Sequence, residues 1–171
     1  MTYHPKIIDF FKNHHIYDEK MFKYFSDNGS MIIYSDEDWR PYIGCWSKIV
    51  NNCLVSFEVN TPYVDNECMA LITIHELVHG VELYQCLGKR YHESITKEAL
   101  PMLYEKLYLL ENPSIELTAY LNYLDSKINS SSESSYVFGL STRDKLLDSY
   151  NGDFKRMQRM VKKLSKKYKI N

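Results

Sequence analysis

Apolar residues recur along this chain in two rhythms, and the change between them divides it. From about Pro5 to Phe25, residues Ile7, Ile8, Phe11, Ile16, Phe22 and Phe25 follow a helical spacing that Asn28-Gly29 ends. Met31 to Tyr34 reads as a short strand, and Tyr42 to Val59 has β character. Within that stretch, Cys53 to Val59 alternates, Asn51-Asn52 is a turn signal ahead of it, and Thr61-Pro62 ends it. Helical spacing then returns. Asp65 or Asn66 can cap an apolar helix that Gly88 can close. A second helix covers about Thr96 to Leu110, with Pro101 tolerated only in or near its first turn. Asn112-Pro113 has the form of a cap and first helical residue for a third, to about Ile128. After the polar loop Asn129 to Ser135, two more helices are expected over about Tyr136–Tyr150 and Phe154–Lys169, split by Asn151-Gly152-Asp153. The predicted class is α+β: a small twisted antiparallel-edged sheet followed by a mainly helical bundle, in a single domain spanning 1–171.

Charge changes this picture little. The formal net charge is −1, but residues 143–171 carry +7 and residues 1–142 carry −8. The basic end reads as a solvated helix face balancing an acidic body, and neither a nucleic-acid nor a membrane partner is expected. The start Met1-Thr2-Tyr3-His4-Pro5-Lys6 lacks a basic segment followed by an apolar run, and no apolar stretch is long enough to span a bilayer. A cytoplasmic location follows as the expectation. Cys45, Cys53, Cys68 and Cys86 lack close metal-type spacing and read as reduced core thiols rather than bridges.

The chemistry concentrates in His75-Glu76-Leu77-Val78-His79. Histidines at i and i+4 of a helix point the same way, one turn apart, so both rings can reach one zinc ion at about 2.0–2.1 Å. Glu76 projects from the flank of the same turn, where it can take a proton from a zinc-activated water instead of binding the metal. Two surface histidines would also satisfy the spacing. The neighbours Ile72, Ile74, Leu77, Val78 and Val81 argue for a buried helix, in which this trio is costly to desolvate without a partner.

A catalytic zinc needs a third protein ligand and an open position. The other histidines are His4, His14, His15 and His92, and the residues after Gly80 do not supply a nearby third one. Downstream glutamates are the alternative: Glu82, Glu93, Glu98, Glu105, Glu111 and Glu116. Glu82 lies on the motif helix itself. Glu98 lies 19 residues after His79, enough for the chain to turn near Gly88 and return with a second helix.

His75 to His79 followed by Lys97-Glu98-Ala99-Leu100-Pro101-Met102-Leu103-Tyr104-Glu105 resembles the zinc site of the thimet oligopeptidase and oligoendopeptidase F family of gluzincin metallopeptidases. The resemblance covers about Val55 to Glu111 and implies a zincin-like catalytic core with one catalytic Zn²⁺. It implies that His75, His79 and Glu98 bind the ion, that Glu76 is the base, and that Glu105 supports the site from a neighbouring position. It also implies that the strand holding Val55, Phe57 and Val59 is the sheet edge that pairs with an extended substrate. Ser135-Tyr136-Val137-Phe138-Gly139 resembles the family's tyrosine-rich helix, which makes Tyr136 the expected oxyanion donor. The family usually places a histidine there too, and this chain has none after His92. Tyr91 and Tyr150 are the other tyrosines considered for that role.

The expected function is therefore a zinc-dependent metalloendopeptidase acting on a peptide or protein substrate. The alternative is a non-catalytic peptide- or protein-binding module of the same fold, with structural or no zinc. A toxin-type protease aimed at one protein is a third reading that these residues do not separate from the first.

Overall fold

The computed structural model describes residues 3–29, 31–32, 43–62, 66–130 and 132–168. Among them the protein is α+β and mostly helical, with seven helices and an antiparallel strand pair that carries a two-residue parallel addition. Packing divides the chain into two compact units, Met1–His92 and Glu93–Asn171. No helix among the described residues is long and apolar enough to cross a membrane. Ile33, Tyr34, Tyr42, Asp65, Ser131 and Lys169, each part of a sequence expectation, lie outside the described residues.

In the first unit, the single helix expected over Pro5–Phe25 is two: α1 (Pro5–Asn13) and α2 (Glu19–Asn28). His15 takes a left-handed conformation at φ 55°, and Asp18 accepts a hydrogen bond from the Met21 amide at 2.8 Å, which starts a new helix. The break folds the apolar stripe on itself, so that Phe11 of α1 and Phe22 of α2 meet at 5.2 Å.

The sheet has the order β1 (Met31–Ile32), β3 (Cys53–Pro62), β2 (Gly44–Val50). Strands β2 and β3 form a hairpin whose turn residues Asn51 and Asn52 have φ of 51° and 62°, the left-handed pair that a two-residue turn matching strand twist requires. Thr61 and Pro62, expected to end the second strand, are its last residues and pair in parallel with β1.

The expected substrate edge lies on β3, the middle strand, which β1 joins only at Thr61 and Pro62. One side pairs with β2 along its length. On the other, Leu54 exchanges hydrogen bonds with the segment after the next helix: its amide donates to Lys89 O at 3.0 Å and its carbonyl accepts from Gly88 N at 2.9 Å. The Phe57 amide donates to the Tyr24 hydroxyl at 3.4 Å. Phe57 and Val59 are buried, and of the three expected substrate-contacting residues only Val55 is exposed.

Helix α3 (Glu67–Cys86) carries the motif. Asn66 caps it by accepting from Met69 N at 2.9 Å, and the chain leaves it through Gly88 at φ 71°. Gly80 lets α3 approach closely, since a Cβ there would stand 2.9 Å from Val59 Cγ2 and 3.0 Å from Phe25 Cζ. None of the four cysteines is in a disulfide.

The second unit is built around α4 (Ala99–Glu111), buried over Ala99–Glu105 and again at Leu107, Tyr108 and Leu109. Pro101 sits in its first turn, where its missing N–H costs nothing. Helix α5 (Ile115–Asn129) starts two residues later than expected, because the Ser114 hydroxyl, accepting from Leu117 N at 3.0 Å, is its cap. Helices α6 (Ser134–Asp148) and α7 (Phe154–Ser165) complete the unit and both pack on α4. Lys97 and Glu133 pair at 3.5 Å, which sets the N-terminal ends of α4 and α6 side by side.

Candidate metal centre

One turn of α3 presents His75 and His79 together. Their Nε2 atoms are 3.2 Å apart and their rings meet edge-on at 4.9 Å between centroids. Two nitrogens bound to one tetrahedral ion at about 2.0–2.1 Å stand roughly 3.3–3.4 Å apart, so the pair is spaced for chelation. An N–H···N hydrogen bond between neutral rings fits that distance as well. His75 is buried and His79 half-buried.

The third member is Glu98, which with His75 and His79 forms a group whose ligand atoms all lie within 4.8 Å of one another. Glu98 occupies the N-cap position of α4 in helical conformation and makes no side-chain cap hydrogen bond. A helix N-terminus favours a carboxylate there. That preference accounts for its charge but not for its being only 3 % exposed. Two imidazoles and a carboxylate are a suitable donor set for zinc.

Glu76 is half-buried on the flank of the same turn. Its neighbourhood includes Cys45 on β2, whose thiol burial pushes well above the usual range, with the negative charge of Glu76 adding to the shift. Cys45 was not among the expected site residues. Its cross-strand register with Val59, a core residue, places it on the face of the hairpin that meets α3.

Glu105 stands seven residues from Glu98, on the same side of α4 and roughly 10 Å along it. It is buried, and its charge acts on Arg143 of α6. Burial works against the Arg143 charge. Asp125 of α5 opposes this through two bonds, Nη1 to Oδ1 at 2.8 Å and Nη2 to Oδ2 at 2.6 Å, and with the charges of Glu105 and Asp144 the net effect is to favour the charged form. The sequence carried no signal for this cluster.

Gly139 of α6 lies against the Glu98 backbone, and Tyr136 is half-buried one turn earlier on α6, at the end where α4 also begins. Tyr150 is placed differently. Its ring meets Tyr104 at 6.0 Å, well along α4 from Glu98, and burial raises the pKa of its hydroxyl. Tyr91 follows the segment that seals β3, its amide donating to Asn52 O at 2.9 Å.

No family model, curated protein or solved structure matches the chain.

Proposed function

We propose that the protein is a zinc-dependent metallopeptidase of the glutamate-completed type, with a zincin-like core. The observation that carries the reading is the convergence of His75, His79 and Glu98 within 4.8 Å, with Glu76 beside them on the same helix turn as the histidines. A histidine pair alone would be satisfied by its own hydrogen bond, and the buried carboxylate is what favours a cation. The three residues would hold one zinc ion. When bound, the ion would lower the pKa of an attacking water and polarise the scissile carbonyl. Glu76 takes the proton of that water and returns it to the leaving amine. Tyr136 donates to the oxyanion, a contribution typically of about 10²–10³ in rate. Glu105, buried on the same side of α4 as Glu98 and within reach of the Arg143 charge, would support the site from behind.

An extended substrate pairs with β2 in this reading, not β3. Among the described residues β2 has no strand on its outer side, and Trp46, Ile49 and Val50 are exposed along it.

The test is metal analysis of the purified protein combined with digestion of a mixed peptide library. Wild type is expected to carry one zinc per chain and to cleave. Glu76→Gln is expected to keep the zinc and lose about 10²–10⁴ in rate, the usual contribution of a general base. Cleavage by Glu76→Gln at the wild-type rate would sink the assignment. Zinc without cleavage by either protein would leave the non-catalytic binding module.

A further inference from the structure

The net charge of −1 hides where the cations sit. Lys155, Arg159, Lys162 and Lys166 form one row along α7 and the turn that follows it, flanked by Arg156, Lys163 and Lys167. At about 100° per residue the seven span roughly 140° of the helix. All seven are exposed, and none takes part in an ion pair among the described residues. The opposite face, Phe154, Met157 and Val161, is buried where α7 packs on α4 and α6.

Helix stability does not account for this face. Lys155–Arg159, Arg159–Lys163, Lys162–Lys166 and Lys163–Lys167 are like-charge pairs at i, i+4, each mildly unfavourable. Lys155 and Arg156 stand in the first turn, where the macrodipole disfavours cations and the N-cap Asp153 is the one acidic residue nearby. The arrangement is the electrostatic footprint of a polyanion site.

We propose that the exposed face of α7 docks on the phosphate backbone of duplex DNA without reading its sequence. The face spreads lysines and arginines over a broad arc with no amide side chain at its centre, a pattern suited to rows of phosphates. It shows no exposed aromatic ring on which unpaired bases could stack, which argues against single strands. The apolar side of the helix is already buried, so it cannot enter a bilayer as surface helices do. Lying along the roughly 12 Å major groove of B-form DNA, a helix about 10–12 Å across would reach the phosphates that flank it, whereas the deep, narrow groove of duplex RNA excludes it. The sequence expectation of no nucleic-acid partner took this basic end as a solvated face balancing an acidic body, and the proposal departs from it.

The experiment is fluorescence anisotropy of a labelled 20-base-pair DNA duplex titrated with the full chain between about 50 and 200 mM salt. Binding is expected to weaken steeply with salt. The logarithm of the affinity should fall against that of salt with a slope of about −4.5 to −6.3, as five to seven neutralised phosphates give. The charge reversal K155E/R159E/K162E/K166E should weaken binding more than tenfold at the lowest salt, and K155Q/R159Q/K162Q/K166Q should act in the same direction. The Gln series decides the matter if circular dichroism shows that the Glu series misfolds. A control reversal of four exposed cations elsewhere, K12E/K20E/K48E/K127E, should retain more of the binding than either. The proposal is overturned if the duplex does not bind at 50 mM salt, if the control loses as much as the α7 series, or if vesicles containing phosphatidylserine bind more tightly than the duplex.

Discussion

Gly139 has no room for a side chain. A Cβ there would stand 2.7 Å from Met102 Sδ and 3.1 Å from both the carbonyl carbon and oxygen of Glu98. The thioether can swing aside, but the Glu98 backbone can yield only by moving the start of α4. Gly139→Ala is therefore expected to shift the Glu98 carboxylate and weaken zinc binding by roughly 10–100-fold, the range seen when residues behind metal ligands are changed. A competitive chelator titration measures it, and an unchanged affinity would detach Glu98 from the centre. Glu98→Ala is the direct counterpart. It should drop zinc well below one per chain at stoichiometric loading, and full occupancy would remove Glu98 from the ligand set. At this scale the sequence was legible where the chemistry is local. His75, Glu76 and His79 share one helical turn, so spacing alone brings them together. Arg143 was not legible, because its partner Asp125 lies 18 residues away on another helix. Cys45 reaches Glu76 only through hairpin register, which periodicity does not reveal.

Helix positions were readable from caps, and the misses also trace to caps. Asp18 and Ser114 are side-chain caps whose hydrogen bonds decide where α2 and α5 begin, and each outweighed an apolar stripe or an Asn-Pro signal. The neighbours of β3 were not legible for a different reason. Alternation identifies a strand but is silent about its neighbours, and the seal from Gly88, Lys89 and Tyr24 comes from remote segments. The packing of α3 on β3 supplies the prediction at this scale. A methyl at position 80 would press on Val59 and Phe25, in a core where added volume typically costs about 1–3 kcal/mol. Gly80→Ala should lower the midpoint of urea unfolding accordingly. Removing the cap with Asn66→Ala should cost only about 1 kcal/mol. A Gly80→Ala protein as stable as wild type would show that α3 and β3 do not meet as closely as described.

For the molecule as a whole, stability should fall on the alkaline side, and two buried groups say where. Burial pushes the Cys45 thiol and the Tyr3 hydroxyl far above their ordinary values of 9.0 and 10.0, so the folded chain keeps protons that the unfolded chain releases. Below pH 9 both groups are mainly protonated in either state, and they add little pH dependence. Above pH 9 the unfolded state binds fewer protons than the folded one, and the stability of the fold declines as pH rises. Each group contributes at most about 1.4 kcal/mol per pH unit once its unfolded form has ionised. Urea unfolding midpoints should therefore be flat between pH 7 and 8, begin to fall near pH 9, and fall faster beyond pH 10 as Tyr3 joins. Cys45→Ser has no thiol to ionise, so its midpoints should stay flat until nearer pH 10, whatever its stability at neutral pH. Comparing the slopes of the two curves, not their heights, isolates the thiol. Parallel curves would mean that Cys45 is as solvated in the folded chain as in the unfolded one, and that the inner face of the hairpin is open to water beside Glu76.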